Sequence, residues 1–289
     1  MQIGILASGS LGHKVLRALC DCYDISYLFT DSGSEELIQF AIENNIPFFK
    51  GNPRDGKAQQ FLNENSCDVL ISINYLFLIE PDLINHPNIL AFNVHGSLLP
   101  KYRGRTPHVW SIINNEKKTG ITAHLIDEYC DTGDIIEQIV VPIDVNDTGN
   151  IILKKYSELY FPLIVSVIDQ IESNNLNYLI QNNENATYYG KRTPDDGLIN
   201  WDWQKERINN WVRAQANPYP GAFTFYEGKK IIIDQIKYSD LGYFADESNG
   251  TILKSKPLTI KTNNGAVEIV SYRNDLISFL EGKKLSNEN

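Results

Sequence analysis

Gln2-Ile3-Gly4-Ile5-Leu6-Ala7-Ser8-Gly9-Ser10-Leu11-Gly12 opens the chain with an apolar run that stops at a glycine-rich turn. A short apolar run bounded by Ser and Gly reads as a buried strand, and Val15, Leu16, Ala18 and Leu19 beyond it fall on one face of a helix. Strand, tight turn and helix make the first half of a βαβ unit. The pattern repeats outward: Ile25–Thr30 reads as a strand, Glu35–Glu43 and Gly56–Asn63 as helices, and Val69–Ile73 and Ile89–His95 as strands. A helix at Pro107–Ile113 and strands at Gly120–Ile126 and Ile135–Val141 follow. This alternation predicts an α/β fold with a mainly parallel, Rossmann-like sheet covered on both faces.

Beyond the capping residues Asp147 and Thr148, apolar residues recur every three or four positions from Ile152 to Ile171, which predicts one long amphipathic helix. The Asn-rich stretch Ser173–Asn185 reads as a loosely packed connection. We therefore expect a first domain over residues 1–187 and a linker, helix and smaller β-rich unit over 188–289. The helix is expected at Trp203–Ala216. Strands are expected at Ala222–Tyr226, Lys230–Ile236, Gly250–Lys254, Leu258–Lys261 and Val267–Tyr272. Trp201, Trp203 and Trp211 are expected to pack the second domain onto the first.

With 289 residues the chain can bury a large core, and 26 Lys plus Arg against 36 Asp plus Glu leave a net charge of −10. Such a surface repels a long nucleic acid, while a small anion can still be met by a local basic group. The four cysteines, Cys20, Cys22, Cys67 and Cys130, are too few and scattered for a disulfide framework. Neither a basic-plus-apolar leader nor a run near the roughly 20 residues needed to span a bilayer is present. A cytoplasmic protein is expected, with no membrane partner and no metal site.

The turn at Ala7–Gly12 has the spacing A-x-G-x-x-G, with Asp31 after the next strand. An NAD-dependent oxidoreductase would carry glycine at the first position, where this chain has Ala7, so an anion-holding or purely structural turn through Ser8 and Gly9 is the favoured reading. The more informative segment is Phe92-Asn93-Val94-His95-Gly96-Ser97-Leu98-Leu99-Pro100-Lys101-Tyr102-Arg103-Gly104. On a strand, Asn93 and His95 point to the same face. An amide offers N–H donors to a developing oxyanion, and an imidazole takes a proton near neutral pH. Asp131, in the turn Asp131-Thr132-Gly133, could orient that imidazole. Taken singly, each of the three is an ordinary turn or semi-buried polar residue.

Together, Asn93-x-His95, Ser97-Leu98-Leu99-Pro100 and Asp131-Thr132-Gly133 resemble the folate-dependent formyltransferases. That family includes the methionyl-tRNA enzymes and the enzymes acting on nucleotide-linked amino sugars. Gly190–Trp201, Val212-Arg213-Ala214 and Pro218–Phe223 resemble segments of the sugar enzymes, and Asn264–Val270 is similar to their OB-like subdomain. The resemblance implies Asn93, His95 and Asp131 as the catalytic trio, and 10-formyltetrahydrofolate as donor. It implies a pterin pocket lined by Tyr75, Leu76, Phe77, Leu78, Asp127 and Glu128. Arg103, Arg192 and Tyr219 are candidates for the nucleotide sugar, with Ser8 and Gly9. A homodimer is also implied, and His13, His86, His108 and His124 are left as structural or surface residues.

The acidic Asp31-Ser32-Gly33-Ser34-Glu35-Glu36 stands where the methionyl-tRNA enzymes carry a basic insertion, which argues against a tRNA acceptor. The favoured expectation is formylation of a nucleotide-linked amino sugar, dTDP-4-amino-4,6-dideoxyglucose, for cell-surface glycan synthesis. A non-catalytic folate or nucleotide-sugar binder is the remaining alternative.

Overall fold

A computed structural model of the chain describes residues 1–273 and 277–286. They form two compact units, one of Met1–Gly104, Thr119–Val141 and Lys155–Tyr189, the other of Arg105–Lys118, Pro142–Lys154 and Gly190 onward. Two stretches of the N-terminal part thus belong to the second unit.

The first unit is built on a seven-stranded sheet. In chain order its elements begin with β1 Gln2–Ala7, α1 Gly9–Cys20, β2 Asp24–Thr30, α2 Glu35–Glu43, β3 Phe48–Lys50, α3 Gln59–Glu64 and β4 Val69–Ile73. After them come α4 Pro81–Ile84, β5 Leu90–His95 and the two-residue strand β6 Arg103–Gly104. The strand order is β3-β2-β1-β4-β5, then β7 Lys118–Leu125 and β8 Ile135–Pro142. Pairing is parallel from β3 through β5 and antiparallel between β5 and β7, so the mainly parallel α/β sheet expected from the sequence is the one observed. The short β3 and the one-turn α4 gave too little periodicity to be read.

Strand alternation divides the core between the two faces. Leu6, Tyr27, Phe29, Leu70 and Ala91 share a cluster with Leu62 of α3 and Leu83 of α4. Ala7 points to the opposite face, where α1 lies so close that a Cβ at Gly12 would come within 2.9 Å of the Ala7 Cβ. Gly12 therefore serves helix–strand packing. Asn93 and His95 have the parity of Ala91 and stand on the face covered by α3 and α4.

α5 Pro107–Ile113 belongs to the second unit, and α6 Gly149–Glu172 is the long helix expected beyond Thr148. β6 pairs in parallel with β9 Tyr188–Tyr189. In the second unit α7 Lys205–Ala214 precedes β10 Ala222–Tyr226, β11 Lys229–Ser239, β12 Ile252–Ser255, β13 Leu258–Thr262 and β14 Gly265–Arg273. The five strands run in the order β10-β11-β14-β13-β12 with antiparallel pairings. Its outer strand β10 is bridged to Ser286, and Thr251, just before β12, is bridged to Lys284. Residues 284–286 thereby draw the two edges of the sheet together, as in a small partly closed barrel. Trp201 lies inside this unit's own core, with Trp203 and Trp211 packed against it.

Candidate active site

Backbone register assembles the site from residues far apart in sequence. Asn93 of β5 lies opposite His124 of β7, and His95 lies opposite Thr122. Directly paired residues share a face, so Asn93, His95 and His124 project to the same side. Residues 126–134 bring Asp131 over that side. Its Oδ1 lies 3.6 Å from His95 Nδ1 and 3.7 Å from His124 Nε2. Its Oδ2 accepts the Gly104 N–H at 2.8 Å and the Cys130 thiol at 3.3 Å.

A carbonyl oxygen can only accept, and this assigns the protons on both imidazoles. His95 Nε2 lies 2.8 Å from the Tyr102 carbonyl oxygen and so carries a hydrogen. Its Nδ1, facing Asp131, is then the basic nitrogen. His124 Nδ1 donates to the Leu125 carbonyl at 2.8 Å, which leaves Nε2 to accept from Asn93 Nδ2 at 3.1 Å. One N–H of the Asn93 amide is thereby anchored and the other is available to a substrate oxygen. Sequence alone leaves His124 among the structural histidines; its place beside Asn93, His95 and Asp131 follows from strand register, which no local motif encodes.

Burial of the Asp131 carboxyl opposes its ionisation, but the two imidazoles that face it, His95 before His124, and the Gly104 N–H outweigh that penalty. They hold the group well below the usual carboxylate range. The turn that carries it is tight. Asp131 has φ +56°, and a Cβ at Gly133 would lie 1.9 Å from the Leu125 carbonyl oxygen. Asp127 braces the same loop, its carboxylate accepting the Thr132 hydroxyl at 2.7 Å and the Tyr129 N–H at 3.2 Å. The segment after His95 is also pinned. Thr122 Oγ1 donates to the Ser97 carbonyl and accepts the Leu99 N–H and Gln138 Nε2.

Of the residues expected to line a pterin pocket, Leu76 and Leu78 expose their apolar side chains, and Glu128 is exposed beside half-buried Asp127. Tyr75 and Phe77 turn inward, edge to face at 5.5 Å, and the Tyr75 hydroxyl is buried without a hydrogen-bond partner. Tyr75, Ile79 and Ile126 pack against one core cluster, so the loops after β4 and β7 are neighbours.

The proposed nucleotide-sugar contacts fare differently. Ser8 caps α1 in extended conformation, with its hydroxyl buried and unpartnered, while the Gly9 N–H is already spent on Ser34 Oγ at 2.8 Å. Arg103 is not a surface cation. It is 1 % exposed, and its guanidinium donates to Gln181, Asn183 and Tyr188, which commits it inside the first unit. In the second unit, Arg192 lies between the Trp110 and Trp211 rings, 5.0 and 4.5 Å from their centroids, and donates to the Asp196 carbonyl and Gln215. Tyr219 there pairs its hydroxyl with His108 Nε2 at 2.9 Å. Arg103, Arg192 and Tyr219 thus each make internal contacts.

Residues 32–168 match the formyl transferase family, and residues 191–285 match the formyl transferase C-terminal domain. The chain belongs to the formyltransferase family. Among its relatives is the bifunctional polymyxin resistance protein ArnA of Wigglesworthia glossinidia brevipalpis, 33 % identical over 99 % of this chain. The chain spans 43 % of that relative's length. Its fold is shared by WlaRD, a sugar 3N-formyl transferase solved with dTDP and 5-N-formyl-THF, at 24 % identity and a TM-score of 0.72, over 96 % of this chain and 99 % of that one. It is also shared by a 4-N formyltransferase from Francisella tularensis, at 23 % identity and a TM-score of 0.65, over 79 % and 94 % of the two chains. Among the described residues, this formyltransferase has no helix long and apolar enough to cross a membrane and no His, Cys, Asp or Glu group that could hold a metal ion.

Proposed function

We propose that this chain transfers the formyl group of 10-formyltetrahydrofolate to the amine of a nucleotide-linked amino sugar. The observation that carries the reading is the convergence of Asn93, His95 and Asp131, from two segments of the chain, on one cluster with His124. The neutral amine attacks the formyl carbon, and the unanchored Asn93 N–H meets the oxyanion of the tetrahedral intermediate. His95 Nδ1 takes the amine proton, and the Asp131 carboxylate beside it stabilises the imidazolium. The same proton is then available to the departing folate nitrogen.

Exposed apolar Leu76 and Leu78 next to the polar loop of Asp127 and Glu128 suit a pteridine, which offers flat apolar faces and a hydrogen-bonding edge. Tyr75 and Phe77 support that loop from below. Ser8, at the N-terminus of α1, remains the part of the first unit suited to a phosphate, with Gly9 free to serve only if its N–H leaves Ser34. For the acceptor, WlaRD, solved with dTDP, supports a dTDP-linked sugar, and we take dTDP-4-amino-4,6-dideoxyglucose, a precursor for cell-surface glycan, as the specific substrate. The resemblance of Gly190–Trp201 and Pro218–Phe223 to segments of the nucleotide-sugar formyltransferases, the UDP-4-amino-4-deoxyarabinose enzyme included, supports a UDP-linked amino sugar as the second reading. Both have the protein act in the cytoplasm as a homodimer, which light scattering checks.

The test is a panel of UDP-, dTDP- and GDP-amino sugars incubated with 10-formyltetrahydrofolate and followed by mass spectrometry. Replacement of one amine hydrogen by a formyl group in a dTDP-4-amino sugar is the expected result. No mass gain across the panel would overturn the reading, and gain only with UDP sugars would move it to the second.

A further inference from the structure

Asp131 occupies the left-handed region at φ +56°, which residues bearing a Cβ adopt uncommonly and Asp more readily than most. The direction of its carboxylate depends on that backbone. The bonds that hold it come from Gln181, a residue in the Asn-rich stretch read from sequence as a loose connection. Gln181 is 5 % exposed, and its Nε2 donates to the Asp131 carbonyl at 3.0 Å and to the Gly133 carbonyl at 2.7 Å.

The orientation of that amide is fixed in turn. Gln181 Oε1 accepts from Arg103 Nε at 3.2 Å and from Nη2 at 2.7 Å, and a guanidinium cannot accept, so the amide cannot turn its NH2 toward it. Arg103 is itself tied to Asn183 and Tyr188 and is buried in neutral surroundings. The next residue, Gly104, gives its N–H to the Asp131 carboxylate. The two residues of β6 therefore act on the same aspartate from opposite ends, one through its backbone on the carboxylate and the other through Gln181 on the main chain.

We propose that Gln181 is a positioning residue for the reaction, holding the Asp131–Gly133 turn so that the carboxylate faces His95, with Arg103 setting the direction of its amide. The inference rests on the reading of His95 and Asp131 as the pair that handles the amine proton. It gives the buried arginine a task that a diphosphate contact does not.

Gln181→Glu separates this role from simple support of Arg103. The variant keeps an oxygen for the guanidinium but faces the two loop carbonyls with a second oxygen instead of two N–H donors. Gln181→Met, of similar length and lacking both donors, is run beside it, and the readouts are taken on whichever variants fold. With 10-formyltetrahydrofolate and the nucleotide amino sugar that the parent accepts, kcat should fall about 10- to 100-fold while KM for both substrates stays within about twofold. In 13C-NMR titration, the Asp131 carboxyl midpoint should move up by about half a pH unit or more. A folded variant with parental kcat and an unmoved Asp131 titration would overturn the inference. If the parent formylates none of the sugars, the functional reading fails by itself and the titration alone decides: a shifted midpoint supports the positioning role and an unshifted one refutes it.

Discussion

Asn93 and His124 face each other across the β5–β7 pair, and the Asn93 amide donates to His124 Nε2 at 3.1 Å. Because His124 Nδ1 is spent on the Leu125 carbonyl, its other nitrogen is an obligate acceptor, and this sets which end of the Asn93 side chain is N–H. The N–H that we propose for the oxyanion is thus oriented before substrate arrives. Removing one such donor costs about two to three powers of ten in rate, so Asn93→Ala should be nearly inactive while still folded. His124→Ala leaves the amide unanchored and should lower kcat about tenfold, by the general cost of lost orientation. His124→Gln, which restores an acceptor oxygen, should recover part of the loss. Steady-state kinetics with circular dichroism on the three variants checks this, and a fully active His124→Ala would show that Asn93 needs no anchor.

The sequence carried the sheet and the shared face of Asn93 and His95, because a strand places residues two apart on one side whatever else happens. It did not carry His124, which sits in the run Ile121–Leu125 as one more buried position until the antiparallel register with β5 is known. Nor did it carry the burial of Arg103, which is possible because three neutral side chains from a distant stretch supply its acceptors. The Asn-rich stretch misled for a similar reason. Polar composition suggested looseness, yet Leu179 exchanges backbone hydrogen bonds with Ile135, and Gln181 is buried under the Asp131 loop.

Asp131→Asn keeps the shape and removes the charge beside His95, so kcat should fall by about 10²-fold or more. The stability effect has a definite sign. The folded carboxyl lies below its ordinary range, so the stabilisation is present above the unfolded value near pH 4 and is lost as pH falls through the folded value. The melting-temperature gap between parent and Asp131→Asn should therefore be largest near neutral pH and close on acidification below about pH 4. A gap that stays constant over that range would mean the charge contributes nothing to folding.

Gly133 offers a steric test of the same loop. A Cβ there would stand 1.9 Å from the Leu125 carbonyl oxygen, so Gly133→Ala must push Asp131 away from His95. Activity should fall about 10²-fold, with a loss of stability of roughly 1–3 kcal/mol. Gly190, whose Cβ would meet nothing within 4 Å, serves as the control. Its alanine variant should stay within about 0.5 kcal/mol of the parent. Denaturant unfolding and single-turnover rates separate the two effects.

His108, in the second unit, supplies a pH response unrelated to catalysis. Burial pushes its imidazole down from 6.5 to about 4, because the charged form cannot be solvated there, and its Nε2 meets the Tyr219 hydroxyl at 2.9 Å. A depressed folded value means that the neutral form favours folding above pH 6.5, and that this advantage is lost as pH falls from there to about 4. Over that window the protein should lose roughly 3 kcal/mol from this group, an order-of-magnitude figure at 1.36 kcal/mol per pH unit. His108→Gln, which keeps a polar end toward Tyr219 and cannot titrate, should flatten unfolding free energy against pH between those limits while lowering stability at pH 7. Urea unfolding of parent and variant at several pH values between 4 and 7 makes the comparison. Equal slopes for the two proteins would show that His108 is not the group responsible.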